Sequence, residues 1–118
     1  RRIKTDRYDK TYVAEITFSK NIDKKKVKSL KQLTGEILQK TPQRVVHRRA
    51  NKIRKRRLKS ISAKVLSKRK MKLKVRTEAG LYIKELITGD KGRTKRNVAN
   101  LLDNRVKKIS LDVIKIHK

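Results

Sequence analysis

Lys52-Ile53-Arg54-Lys55-Arg56-Arg57-Leu58-Lys59-Ser60-Ile61-Ser62-Ala63-Lys64-Val65-Leu66, running on through Ser67-Lys68-Arg69-Lys70 into Met71-Lys72-Leu73-Lys74-Val75, decides the fold class. Ile53, Ile61, Ala63 and Val65 share one parity, and Met71, Leu73 and Val75 again alternate with lysines. A period of two puts such side chains on one face of a strand. With a turn at Lys68-Arg69-Lys70, the two runs read as a basic β-hairpin with one thin apolar face.

Working outward, Thr11 to Ser19 alternates Tyr12, Ala14, Ile16 and Phe18 against Glu15 and Thr17, a further strand. Ile22, Val27, Leu30 and Leu33 recur at roughly helical spacing, with Asp23 as N-cap and Gly35 as stop, which predicts a helix over Asp23 to Thr34. Glu36 to Lys40 reads as a short strand ended by Thr41-Pro42. Glu78-Ala79-Gly80 breaks the alternation, and Leu81 to Thr88 reads as helical turns closed by Gly89. After the loop Gly89-Asp90-Lys91-Gly92, Asn97 caps a short helix through Leu102, and Val106 to Ile116 is a last strand containing Ile109, Leu111 and Val113. The order β, α, β, β-hairpin, helical turn, helix, β predicts an α+β fold with a mixed, mostly antiparallel sheet and short helices.

The 118 residues allow one domain, spanning 1–118. They carry 38 Lys+Arg against 10 Asp+Glu, a formal net charge of +28, with 35% hydrophobic and 3% aromatic residues. Self-repulsion on that scale works against compaction, so the composition points to a polyanionic partner, nucleic acid before an anionic membrane. The absence of Cys excludes disulfides, thiolate zinc sites and Cys nucleophiles. His47 and His117 are too few and too far apart for an imidazole metal site. No apolar run approaches the ~20 residues of a membrane span. Arg1-Arg2-Ile3-Lys4 leads into Asp6, Arg7, Asp9 and Lys10 rather than an apolar segment, so it does not read as a signal peptide. A soluble, cytoplasmic protein is the expectation.

From Ile37 to Thr77 there are 41 residues without one acid, 17 of them Lys or Arg. Nine fall between Arg44 and Lys59, and on a strand they would alternate between both faces. A charged edge that discourages aggregation is one reading of such a run. This density favours contact with a phosphate backbone, where clustered cations release condensed counterions. Little else offers chemistry. Gly89-Asp90-Lys91-Gly92-Arg93-Thr94 lacks the G-x-x-x-x-G-K-[ST] spacing of a phosphate loop and reads as a turn. No Ser/His/acid arrangement has local support, and the aromatics are too few for a base-stacking platform. Gly80-Leu81-Tyr82-Ile83-Lys84 stands out, a Gly leading into a helical turn that carries a Tyr and, two residues on, a cation; a core Tyr and a surface Lys are the alternative.

These residues resemble a known family. Ala79-Gly80-Leu81-Tyr82-Ile83-Lys84-Glu85-Leu86 is similar to the G-x-Y-[IV]-[RK]-x-L motif of pseudouridine synthases, Lys10-Thr11-Tyr12 to their K-x-Y strand motif, and Ile109-Ser110-Leu111 to their late Leu motif. Thr41-Pro42-Gln43-Arg44-Val45-Val46-His47-Arg48-Arg49-Ala50 and Ile87 to Thr94 resemble the archaeal and eukaryal synthase of the tRNA T-loop. The likeness runs over nearly all of Lys10 to Ile116. Five motifs occur in the family's order, two of them specific to the T-loop synthase.

The resemblance implies the C-terminal part of a synthase catalytic domain, acting on tRNA without metal or cofactor. The family's catalytic Asp lies in a motif upstream of K-x-Y, and Asp6 and Asp9 are too near Tyr12 to stand in for it. The nucleophile, and the family's N-terminal RNA-binding domain, are therefore expected in a partner half, from the same gene or a separate chain, and this chain alone is expected to be inactive. Lys84 would hold that Asp charged and oriented by a charge-assisted hydrogen bond. Tyr12 would pack against the target base, Leu111 would wall the pocket and Ile83 would flank Lys84. Tyr82 is implied to fix the turn by packing. Arg44, His47, Arg48, Arg49 and Arg93 are the candidate tRNA contacts. A non-catalytic, basic RNA-binding or ribosome-associated protein on a synthase-like scaffold is the alternative, and a DNA-compacting protein a third.

Overall fold

The computed structural model describes residues 8–48 and 50–118, so Asp6 and Arg49 lie outside the described residues. Five strands, β1 (Asp9–Phe18), β2 (Gly35–Lys40), β3 (Ile53–Val65), β4 (Lys70–Thr77) and β5 (Val106–His117), form one sheet in the order β2-β3-β4-β1-β5. Every neighbouring pair runs antiparallel, so the sheet lacks the parallel component that a mixed sheet would have. Three short helices, α1 (Lys24–Val27), α2 (Ile83–Thr88) and α3 (Val98–Leu102), accompany it. No helix among the described residues is long and apolar enough to cross a membrane.

Strict alternation builds the centre. β4 turns Met71, Leu73, Val75 and Thr77 inward and leaves every intervening residue exposed. They meet Ala14, Ile16 and Phe18 of β1 and, across the helices, Leu30, Leu33, Leu86, Ile87, Val98 and Leu102 in one cluster. Full burial of each large member contributes about 1.5–3 kcal/mol, the main offset to the charge repulsion of the surface.

Two expected elements differ in detail. The segment over Asp23 to Thr34 is one turn of α-helix followed by a 3₁₀ helix, Lys28–Leu33. Val27, Leu30 and Leu33 are spaced by threes, the period of a 3₁₀ helix, and that spacing aims all three at the core. Asp23 does cap the segment, accepting from the Lys25 N–H at 2.9 Å.

On β3, Leu58 pairs with Thr77 but Ser60 with Arg76, so Lys59 is an extra residue, a β-bulge. One inserted residue exchanges the faces. Ile61, Ala63 and Val65 turn inward after the bulge, whereas Arg54, Arg56 and Leu58 do so before it. Ile53, expected on the apolar face, is 62% exposed. A second bulge, between the partners of Thr11 and Tyr12, interrupts β5, and Val113 and Ile114 are both half-exposed there on the sheet's edge.

The β3 bulge also aims Lys59 at the Asp9 carboxylate, at 2.5 Å, with Arg76 3.7 Å away. The Lys59 hydrogen bond holds the Asp9 carboxyl below its usual range, against the opposing effect of burial. A depressed folded-state value means that the stability Asp9 contributes is present above its unfolded pKa of about 3.9 and is lost as pH falls through the folded value. In an acid titration followed by denaturant melts, Asp9→Asn is expected to flatten the loss below pH ~4 by about 0.5 kcal/mol. Identical acid limbs for the two proteins would show that Asp9 adds nothing.

Candidate active-site face

Ile83 belongs to the core cluster against which Tyr12 and Leu111 pack. Tyr12 lies on the inward face of β1, level with Val75 on β4 and Val113 on β5. Leu111 sits opposite Ala14, so it is the diagonal neighbour of Tyr12 on that face, at the ~7–8 Å of such pairs. Both are half-buried against the core cluster that contains Ile83. Burial pushes the Tyr12 phenol up from its ordinary value, so it remains a hydroxyl donor at neutral pH.

The helical turn carrying Ile83 and Lys84 is braced from several sides. Gly80 has φ +91°, a conformation that favours glycine, and lets the chain leave β4 and enter α2. The buried side-chain amide of Gln39 forms a two-way clamp on Tyr82: the Tyr82 N–H donates to Oε1 at 2.9 Å and Nε2 donates to the Tyr82 carbonyl at 2.9 Å. Glu85 is buried and accepts two hydrogen bonds from Arg44, at 2.9 and 3.3 Å. The Tyr82 ring lies 5.8 Å from the guanidinium carbons of both Arg44 and Arg54, within cation–π range. Gly89 ends α2 in the left-handed region and donates to the Glu85 carbonyl at 2.7 Å. Lys84 is exposed in this anchored turn, as is Thr88 at its end, and no carboxylate among the described residues pairs with Lys84.

The cations expected to meet RNA have several placements. Arg44 is paired with Glu85. Arg93 donates to the Thr41 carbonyl and to Asn51 Oδ1, both at 2.9 Å, and lies 3.8 Å from Asp90. Arg44 and Arg48 stand in or just after a 3₁₀ turn, Gln43–Val45, rather than on a strand as the charge run suggested. His47 and Arg48 are exposed, whereas Arg49 is outside the described residues. Asp90 accepts from the Gln43 N–H at 3.1 Å, so the Gly89–Gly92 segment is a turn tied to the Thr41–Arg48 segment.

Sequence reasoning missed Gln39, Thr41 and Arg54. A Gln with the parity of Ile37 in a half-buried strand is itself a signal, because a polar group at an inward position needs fixed partners. Nothing comparable marked Thr41, whose hydroxyl donates to the Ala50 carbonyl at 2.5 Å and accepts from Arg54 at 2.7 Å.

A family model described as "Pus10, C-terminal" matches residues 1–117. The chain belongs to that family. It is 44% identical over 115 residues to the tRNA pseudouridine synthase Pus10 of Methanothrix thermoacetophila, covering 97% of this chain and 25% of that protein. The protein of the same name from Archaeoglobus fulgidus is 40% identical, covering 98% of this chain and 33% of its own length. The mouse protein of that name is 41% identical, with 88% and 20% covered. The chain thus spans a third or less of these Pus10 relatives. Among solved structures it is similar to a chain of a Cbf5-Nop10-Gar1 complex, with TM-score 0.65 and 24% identity, covering 87% of this chain and 29% of that one. That likeness shows the fold.

Proposed function

We propose that this Pus10-family chain is the C-terminal part of the catalytic domain of a tRNA pseudouridine synthase acting on a T-loop uridine. It lines one side of the cleft, while the catalytic Asp is supplied by another stretch of polypeptide. The observation that carries this reading is Lys84. It is an exposed ammonium group with no acid partner among the described residues, on the turn held by the Gln39 clamp and the Glu85–Arg44 pair and next in sequence to the buried Ile83.

In the reaction, the C1′–N1 glycosidic bond breaks, the base turns over, and C5 bonds to C1′. The proton on C5 is then lost and N1 gains one, so the isomerisation consumes nothing. The uridine must first leave its stack. Tyr12 packs against the extruded base, Leu111 supplies an apolar wall that thins out water, and Lys84 keeps the Asp ionised through a charge-assisted hydrogen bond. His47, Arg48 and Arg49 follow the tRNA backbone. Arg44, Tyr82 and Arg93 act at one remove, by fixing the turns that present the others.

The test is to incubate a T-loop tRNA transcript with this chain, alone and mixed with the remaining part of the polypeptide that relatives carry. The chain alone is expected to bind, with log affinity falling by about 0.9 per log salt for each phosphate neutralised, and to form no pseudouridine. The mixture is expected to turn over. Turnover by the chain alone would overturn the placement of the Asp. An inactive mixture that still binds tRNA would favour the non-catalytic RNA-binding reading.

A further inference from the structure

The face of the sheet turned away from the helices is a second basic surface. β4 gives it Lys70, Lys72, Lys74 and Arg76, all exposed. The register sets Lys72 beside Lys64, Lys74 beside Ser62 and Arg76 beside Ser60 of β3. On the other side the same rows continue through Glu15, Val13 and Thr11 of β1 to Ser110, Asp112 and Lys115 of β5. Like charges directly opposite one another destabilise a ladder, so the fold itself gains nothing from Lys64 beside Lys72.

At the Arg76 end the rows close on a hollow of about 450 Å³, lined by Ser60, Ser62, Lys74, Arg76, Lys115 and His117 among others. Thr11 is buried there and its hydroxyl lies 2.6 Å from His117 Nε2. Lys74 and Lys115 pair with no acid among the described residues. Asp9, the acid nearest this end, is already engaged by Lys59 and Arg76. Hydroxyls and cations converging on one hollow make a site for a tetrahedral oxyanion.

We propose that this hollow seats a phosphate of an RNA backbone, on the opposite side of the sheet from Tyr12 and Leu111, with the lysine rows guiding the strand toward it. The electrostatics agree. Partial burial, with Arg76 and Lys115, pushes the His117 imidazole below its ordinary value, and Lys59 adds to the effect while Asp9 opposes it. The negative charge of a bound phosphate group opposes that shift. Because binding rather than turnover is read, the inference stands apart from the synthase reading.

The test compares Lys74→Gln/Lys115→Gln with Lys24→Gln/Lys25→Gln on the exposed α1, each removing two charges and no ion pair among the described residues. A fluorescent RNA hairpin is titrated in a salt series with each variant, in the 118-residue chain and in the full-length protein. The hollow pair is expected to reduce the salt slope by about 1–2 units, and the control pair by less than about 0.5. Equal slopes for the two pairs would overturn the site in favour of diffuse attraction. An unchanged slope in the full-length protein would overturn it because other polypeptide covers the face. Independently, inorganic phosphate is expected to raise the His117 titration midpoint measured by NMR, and a fixed midpoint at saturating phosphate would overturn the seat.

Discussion

Lys84→Ala, in the polypeptide joined to the remaining length that its relatives carry, is expected to slow pseudouridine formation by about 100- to 1000-fold. Affinity for tRNA is expected to stay within about fivefold, the ~1 kcal/mol scale of one exposed charge. The split follows from the placement of the residue. Lys84 is exposed, makes no ion pair among the described residues, and sits in a helical turn where alanine is at least as well accommodated. Its loss therefore removes a charge from the candidate active-site face without disturbing Ile83, Tyr82 or Glu85, whose contacts hold the turn. Lys84→Arg, which keeps the charge with a bulkier head, is expected to recover part of the rate. Single-turnover rates and a binding isotherm on the same preparations decide the matter. A rate within threefold of the parent would mean that this amine has no catalytic carboxylate to serve.

The second large effect is on stability. Gly89→Ala is expected to destabilise the chain by about 2–4 kcal/mol and to lower its melting temperature by roughly 10 °C or more. Gly89 has φ +85°, where a β-carbon is strained. That carbon would also lie 2.7 Å from Asn97 Nδ2 and 2.9 Å from Cγ. Asn97 cannot yield freely, because its Oδ1 accepts from the Asn100 N–H at 2.9 Å to cap α3 and its Nδ2 donates to the Thr94 carbonyl at 3.1 Å. Gly92→Ala is the internal control. Its φ is +86° but nothing lies within 4 Å of the added carbon, so only the backbone cost of ~1–2 kcal/mol applies. Melting both variants separates conformation from collision. Equal losses would show that the Asn97 cap gives way without cost.

Much of this was legible along the chain because alternation is a physical record of what faces the core. β4 reads its burial directly, Lys-Met-Lys-Leu-Lys-Val-Arg-Thr, and Asn97 and Asp23 announce their helices through side chains that cap. On β3 the reading failed because of a single inserted residue. Lys59 leaves no mark on the hydrophobicity of β3, yet it exposes Ile53 and turns Arg54 and Arg56 inward. At the candidate site, Tyr12, Ile83 and Leu111 were picked out by motif resemblance alone; the structure shows that Ile83 belongs to the core cluster and that Tyr12 and Leu111 pack against it. The division of labour among the arginines was not legible. Arg44, Arg54, Arg93 and Arg96 look like the other cations around them in sequence, but each is committed to a carboxylate, hydroxyl or carbonyl from a distant segment. Only the fold brings those acceptors within reach.

The position of β1 in the sheet has a consequence during synthesis on the ribosome. It is the first strand in the described chain and lies between β4 and β5, so Asp9 faces His117 and Tyr12 faces Val113. A nascent chain emerging in order completes the β3–β4 hairpin before β5, while one flank of β1 waits until β5 has been translated. Closing so long a loop is slow relative to local pairing. Until β5 arrives, one edge of β1 is unpaired, and exposed lysines on the neighbouring β4 are the kind of charge that disfavours edge-to-edge pairing.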